Sequence, residues 1–515
     1  MIDYKVRWLR RGPTGGRPRG RLPALAVVAL ALGALSLAGC LGGGDDDAAP
    51  AKGDPMRLDL LVYNIEYSGD ASTDKVIRKL DADVVGVLES YERLPEIARR
   101  TGYRYYNTSL QLLSKYPILE PSGGDGLYAL IETEPGYVIP FFNVHLDYVD
   151  WGPRKLAKGD PADEVIANEN EVRTSALERP LAAMDELLGD GYPVFLTGDF
   201  NEPSSLDYTA EAVGTRKEIT EPVAWPVSEA LFDHGFRDSY REVHDDPVAV
   251  PAITQERTGE RIDYVYAAGP SKTLDSKLVG EPGGEDVDIE ESPWTSDHRA
   301  VLSTFDVSPV AMPTLVAVDA RLADVGDEIT VSWNDPGRGG NEIAIVPEGG
   351  APGDALETLE APDERGDATL DTAGWDPGSY EAVLIDGDDS EVARVSFYLR
   401  EPGATLELTT DKRTYGRGEP IEVSWTQGPA NRWDWLGVYE ASASDPKVDD
   451  YLTWDYSEGH SAGTVPPRTV GEATLGPDSQ GHSWPLPPGD YVVHYLLADQ
   501  YQSAGSAPFT VEGGG

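Results

Sequence analysis

Cysteine is almost missing from this chain, which has one, Cys40, in 515 residues. No internal disulfide can form, and metal sites built from several thiolates are excluded. Basic charge is scarce as well: 42 Lys and Arg stand against 90 Asp and Glu, lysine supplies 12 of the 42, and the formal net charge is -48. Proteins that hold polyanions normally do so with clusters of Lys and Arg, and none of length occurs beyond Arg21, which argues against a surface made for nucleic acid. Such an acidic surface suits high salt, where charge repulsion is screened within about 3 Å at 1 M. A transmembrane run is also lacking, because the apolar stretch Leu22–Ala38 is short for a bilayer core and rich in small residues.

That stretch follows Lys5, Arg7, Arg10, Arg11, Arg17, Arg19 and Arg21, and so reads as the apolar region of a signal peptide. It ends in Leu37-Ala38-Gly39-Cys40, which resembles the prokaryotic lipobox, where cleavage leaves the cysteine as a lipid-modified N-terminus. The expectation is a signal peptide at 1–39, a lipidated Cys40 with a flexible Gly/Asp linker at 40–55, and an extracytoplasmic protein tethered to the cell membrane. Loss of residues 1–39 would deepen the net negative charge by six.

From about Met56 to Val307, strand-like and helix-like segments alternate, whereas the chain after Ser308 lacks helical periodicity and is rich in Gly, Pro and Asp. A boundary near Ser308–Pro313 follows. Strands are expected at 58–64, 83–89, 128–133, 138–145, 193–200, 262–267 and 300–305, and helices at 73–80, 92–101 and, as one long element, 162–189. The second half repeats itself: "DEITVSWNDPGRGGNEIAIV" (327–346) matches "EPIEVSWTQGPANRWDWLGVY" (419–439), and "DPGSYEAVLI" (376–385) matches "PPGDYVVHYL" (487–496). Two immunoglobulin-like β-sandwich modules, at 314–400 and 403–513, are expected, with Trp333 and Trp425 in their cores. The run around Asp434 loosely resembles sandwich modules attached to some secreted or membrane-associated phosphatases.

Strand ends in the first half finish in residues that bind metals or move protons: Asn64, Glu89, His145, and Asp199 with Asn201. Asp263 opens another strand, and Asp297-His298 precede the last. Singly each has a plain explanation, turn chemistry for Asn and Asp or a backbone hydrogen bond for His. Their recurrence at strand ends is what carries weight, since ligands gather at one end of a sheet. His234, His244, His460, His482 and His494 show no convergent pattern, and the acidic run at 281–294 reads as a solvated loop.

"VYNIE", "VLE", "GDFN", "RIDYVY" and "SDH", in this order, resemble the endonuclease/exonuclease/phosphatase superfamily with its deoxyribonuclease I-like fold. The resemblance spans residues 56–307 and implies a four-layered α/β sandwich of two mixed sheets with the site at one sheet edge. "GDFNEPSSLDYT" is similar to a secreted prokaryotic and fungal branch, although the loop "PAITQERTGERIDY" departs from that branch's Gly-x-Thr-Trp turn.

Glu89 and Asp297 are hard oxygen ligands suited to Mg²⁺ or Mn²⁺, with Asn64 and Glu66 completing the shell or holding a phosphoryl oxygen. Asp199 would orient or deprotonate water, Asn201 fix it, and His298 act on the phosphate with Asp263 as its carboxylate partner. His145 would stabilise phosphoryl oxygens or protonate the leaving group. The expected reaction is metal-assisted hydrolysis of a phosphoester, whether nucleic acid or a phosphorylated small molecule or lipid. The rival is a surface binding protein whose β modules recognise a polymer or partner above an inactive scaffold.

Overall fold

The computed structural model describes residues 51–513, apart from 123, 125, 149, 339, 389, 430–432, 444, 448, 458–467, 482 and 498–499. The expected signal peptide, Cys40, His460 and His482 lie outside the described residues.

The first strand, Met56–Asn64, shows why the domain is layered. Side chains alternate across a strand, and here both faces are buried. Leu58, Leu60 and Val62 face a core shared with Phe141, Phe195 and Val265 of a second sheet. Leu61 and Tyr63 face the helices Ala71–Leu80 and Leu94–Thr101 through Val76, Ile77 and Ile97. On the far side of the second sheet, Phe142, Leu196 and Tyr266 pack against Leu181, Met184 and Leu231 of two further helices. The result is the expected order of helix, sheet, sheet, helix, and both sheets are mixed. In the first, Met56–Asn64 runs parallel to Val84–Leu88 and antiparallel to Ala300–Val307. In the second, Tyr137–His145 runs parallel to Val194–Asp199, which pairs antiparallel with Asp263–Ala268.

The long helix expected at 162–189 is interrupted. α-Helix covers Ala162–Glu169 and Glu178–Gly189, and between them the winding loosens to a π-turn, Asn170–Thr174, and tightens to a 3₁₀ turn, Ser175–Leu177. Pro180 has no N–H to give to the preceding turn, and the fully buried Glu169–Arg173 ion pair at 2.5 Å sits where the winding changes.

The sheet of the first domain does not stop at the domain's end. Val310–Ala311 pairs with Tyr137–Val138, and Leu315–Val318 pairs with Ile118–Pro121 on one side and with Glu328–Asn334 on the other. Trp333 lies in the core of the first sandwich and Trp425 in that of the second, as expected of the repeat. The second sandwich packs a three-stranded sheet on a six-stranded one.

Candidate active site

Strand register brings the predicted residues together. His145 stands opposite Asp199 across the parallel pair, and Asp263 stands opposite Asp199 across the antiparallel pair. These three are therefore level at one end of the second sheet. At the same end of the first sheet Asn64 stands opposite Leu88, beside Glu89, and Asp297-His298 lead into the strand paired with Met56–Asn64. The site thus lies across strand ends of both sheets, and on the Asp263 side it reaches the strand next to the edge of the second sheet.

Asp199 is the hub. Its Oδ2 accepts from Asn64 Nδ2 at 3.1 Å and lies 3.5 Å from His145 Nε2 and 3.7 Å from His298 Nε2; its Oδ1 accepts from the Asn201 backbone N–H at 3.0 Å. Burial, with Asp263 close by, pushes its pKa up to about 6 despite the two imidazoles. His298 Nδ1 lies 2.9 Å from Asp263 Oδ2, and Ser296 Oγ accepts from the His298 N–H while donating to the Asn64 carbonyl. Burial works against its charge, but Asp263 and Asp199 outweigh burial and push the His298 pKa up to about 10.

The remaining carboxylates form a more open cluster. Glu89 accepts from Asn64 Nδ2 at 3.0 Å and from the Tyr67 backbone N–H at 2.9 Å. Burial alone would raise its pKa, yet His145, that N–H, the Asn64 amide and His298 hold it below the ordinary value. Glu66 accepts from the Asp297 N–H at 3.1 Å, and Arg257 donates to both Glu66, at 3.0 Å, and Asp297. Glu66, Tyr67, Ser68, Glu89 and Asn201 all have left-handed backbone, a conformation costing roughly 1 kcal/mol each outside glycine and concentrated at functional sites.

Two roles look different from their expected form. Asn64 gives its amide N–H groups to Glu89 and Asp199 while its oxygen accepts from Glu66, so it bridges the acids. Asn201 donates from its side chain to the Leu146 carbonyl at 2.9 Å and so secures the turn. The acidic run at 281–294 is more than a solvated loop: Glu281 pairs with Arg299, the buried Glu291 with Lys79, and Asp288 accepts from the Leu278 N–H.

Cation binding fits the open cluster, where Glu66, Glu89 and Asp297 offer oxygen only and a guanidinium already lies between two of them, a donor set suited to a hard divalent ion. Asp199, Asp263 and His298 also bring ligand-type atoms within 4.8 Å of one another. In that trio the imidazole is already engaged by Asp263, so it joins a second set of ligand-type atoms to a hydrogen-bonded His–Asp pair. Arg257 and Gln255, which donates to Asp297 at 3.0 Å, were not foreseen. They come from the loop that departs from the Gly-x-Thr-Trp pattern, and that departure was the available signal.

Residues 45–298 match the family described as Endonuclease/Exonuclease/phosphatase family. The Uncharacterized protein F14F9.5 of Caenorhabditis elegans is 27% identical over 291 residues, 48% of this chain and 90% of its own length. Among solved structures, a humanized D. rerio TDP2 is 17% identical with a TM-score of 0.32, the alignment covering 49% of this chain and 99% of that one. An endonuclease/exonuclease/phosphatase family protein from Bacteroides thetaiotaomicron is 16% identical, with a TM-score of 0.28 and coverage of 49% and 96%.

Proposed function

We propose that this chain, whose residues 45–298 match the endonuclease/exonuclease/phosphatase family, is a metal-dependent phosphoester hydrolase that acts on small phosphoesters outside the cytoplasm, tethered to the membrane through Cys40. The observation that carries the reading is the hub at Asp199, where two other strand ends, at Asn64 and His145, and the buried His298–Asp263 pair converge on one carboxylate. The net charge of -48 favours small substrates, soluble or lipid-borne, over polynucleotides.

Above about pH 6 Asp199 is ionised and takes a proton from attacking water. His298, kept charged by Asp263, faces the developing negative charge on the phosphoryl group. His145, on the other side of Asp199, stabilises the phosphoryl oxygens or protonates the leaving oxygen. A divalent ion held by Glu66, Glu89 and Asp297, Mg²⁺ before Mn²⁺, would supply Lewis-acid neutralisation of the phosphoryl oxygens.

Residues 41–515 with Mg²⁺ or Mn²⁺ are expected to cleave bis-p-nitrophenyl phosphate or a phosphorylated lipid faster than DNA. Asp199→Ala and His298→Ala should each lower the rate at least about a hundredfold. Equal background rates for wild type and both variants across this panel would sink the reading. The rate should rise as pH passes about 6, where Asp199 loses its proton, and fall as His298 loses its own near pH 10; a flat pH–rate profile contradicts these roles. Cys40→Ser should release the protein from membranes in a fractionation assay.

A further inference from the structure

We propose that the second β module completes the catalytic cleft, with Trp433 as the positioning residue that holds the His145 ring. The inference rests on the phosphoesterase reading above and concerns what fixes one of its groups. Two contacts flank the His145 imidazole: Nε2 lies 3.5 Å from Asp199 Oδ2, and the ring centroid lies 5.4 Å from that of Trp433, inclined by 54°. A 3.5 Å approach is long for a hydrogen bond, and the last torsion of a histidine is broad. Asp199 at that distance, with Glu89 acting on the ring through charge, does not by itself fix the ring's orientation. An indole at aromatic packing distance removes that freedom.

Trp433 is 8% exposed, and its indole N–H has no acceptor among the described residues. The indole N–H groups of Trp333, Trp425 and Trp435 each reach a backbone carbonyl, as buried tryptophans ordinarily do. Among the described residues, ring packing is what seats Trp433. Behind it the outer face of the six-stranded sheet carries Trp435, Tyr439, Trp454 and Tyr456, a second aromatic cluster outside the module's own core. An independent contact touches the other side of the site. Gln500, whose carbonyl accepts from Trp435 Nε1, donates to Ser68 Oγ at 3.5 Å, within the left-handed turn that carries Glu66. The module therefore borders the cleft at His145 and at Glu66.

In the full chain, Trp433→Ala should lower kcat on bis-p-nitrophenyl phosphate about tenfold, within what misplacing a reacting group costs, while KM changes less than about twofold. Trp433→Phe, which keeps a ring, should restore most of the loss. Trp425→Phe, in the module's core, controls for general loosening: it should lower the module's melting temperature and leave kcat unchanged. The His145 ring resonances in ¹H–¹⁵N spectra should move in Trp433→Ala and stay in Trp425→Phe. Wild-type kcat with unmoved His145 resonances in Trp433→Ala would overturn the inference. Absence of hydrolysis by wild type would overturn the phosphoesterase reading instead.

Discussion

The first β module joins the catalytic domain through backbone, its strand Leu315–Val318 pairing with Ile118–Pro121, while the second meets the same domain through side chains, Trp433 against His145 and Gln500 against Ser68. Both come from one sequence repeat. Their inward positions kept the same character, Ile329, Val331 and Trp333 matching Ile421, Val423 and Trp425. Their outward positions did not: Gly340, Glu342 and Val346 stand where the second module has Trp433, Trp435 and Tyr439. Core positions answer to packing, so a repeat can keep its fold while its outer face is rewritten for a new neighbour. The shared sheet makes the first module part of the frame, and the aromatic face makes the second an adjustable wall.

Breaking the frame should have the largest effect. Ala317 is fully buried within the shared sheet, so Ala317→Asp, an unpaired buried charge, should cost roughly 4 kcal/mol or more and lower the melting of catalytic domain and first module together in calorimetry. Trp425→Ala should cost about 3–5 kcal/mol but confine the damage to the second module, seen as a separate early transition. A single joint transition in that variant would erase the distinction between the two attachments. Gln500→Ala removes one long hydrogen bond and should cost under about 1 kcal/mol, with a small change in KM. Smallest of all, Glu342→Trp gives the first module's exposed position the second's residue, and should leave activity unchanged and stability within about 0.5 kcal/mol. Altered activity there would show that the first module also reaches the site.

The catalytic constellation was legible because chemistry-bearing residues stood where apolar strands end, and a strand end is visible in a single sequence. Asp199, Asp263 and His145 are level because strand register aligns them, and the sequence order of the motifs already implied a common end. The interrupted helix was legible only in part: Pro180 was a visible signal, but Glu169 and Arg173, an ordinary i,i+4 pair in sequence, mark the break only once the surrounding fold buries both completely. Arg257 was hidden for a related reason: a cation in an irregular loop follows no period, and only the fold carries it to Glu66 and Asp297. Trp433 was hardest to see, because an indole ahead of an apolar strand reads as core until its neighbour from the other domain is known.

The chain enters the first domain beside residues 309–311, where the Ala311 N–H donates to the Ala51 carbonyl and the Gly53 N–H to the Pro309 carbonyl, each at 2.8 Å. Three residues later Met56 begins the strand that ends at Asn64, about 26 Å away at roughly 3.3 Å per residue. The backbone bonds at 51–53 therefore tie the start of the domain to the segment that leaves it, and Asn64 and the carboxylates around it lie at the other end of that first strand, a full strand length from this knot.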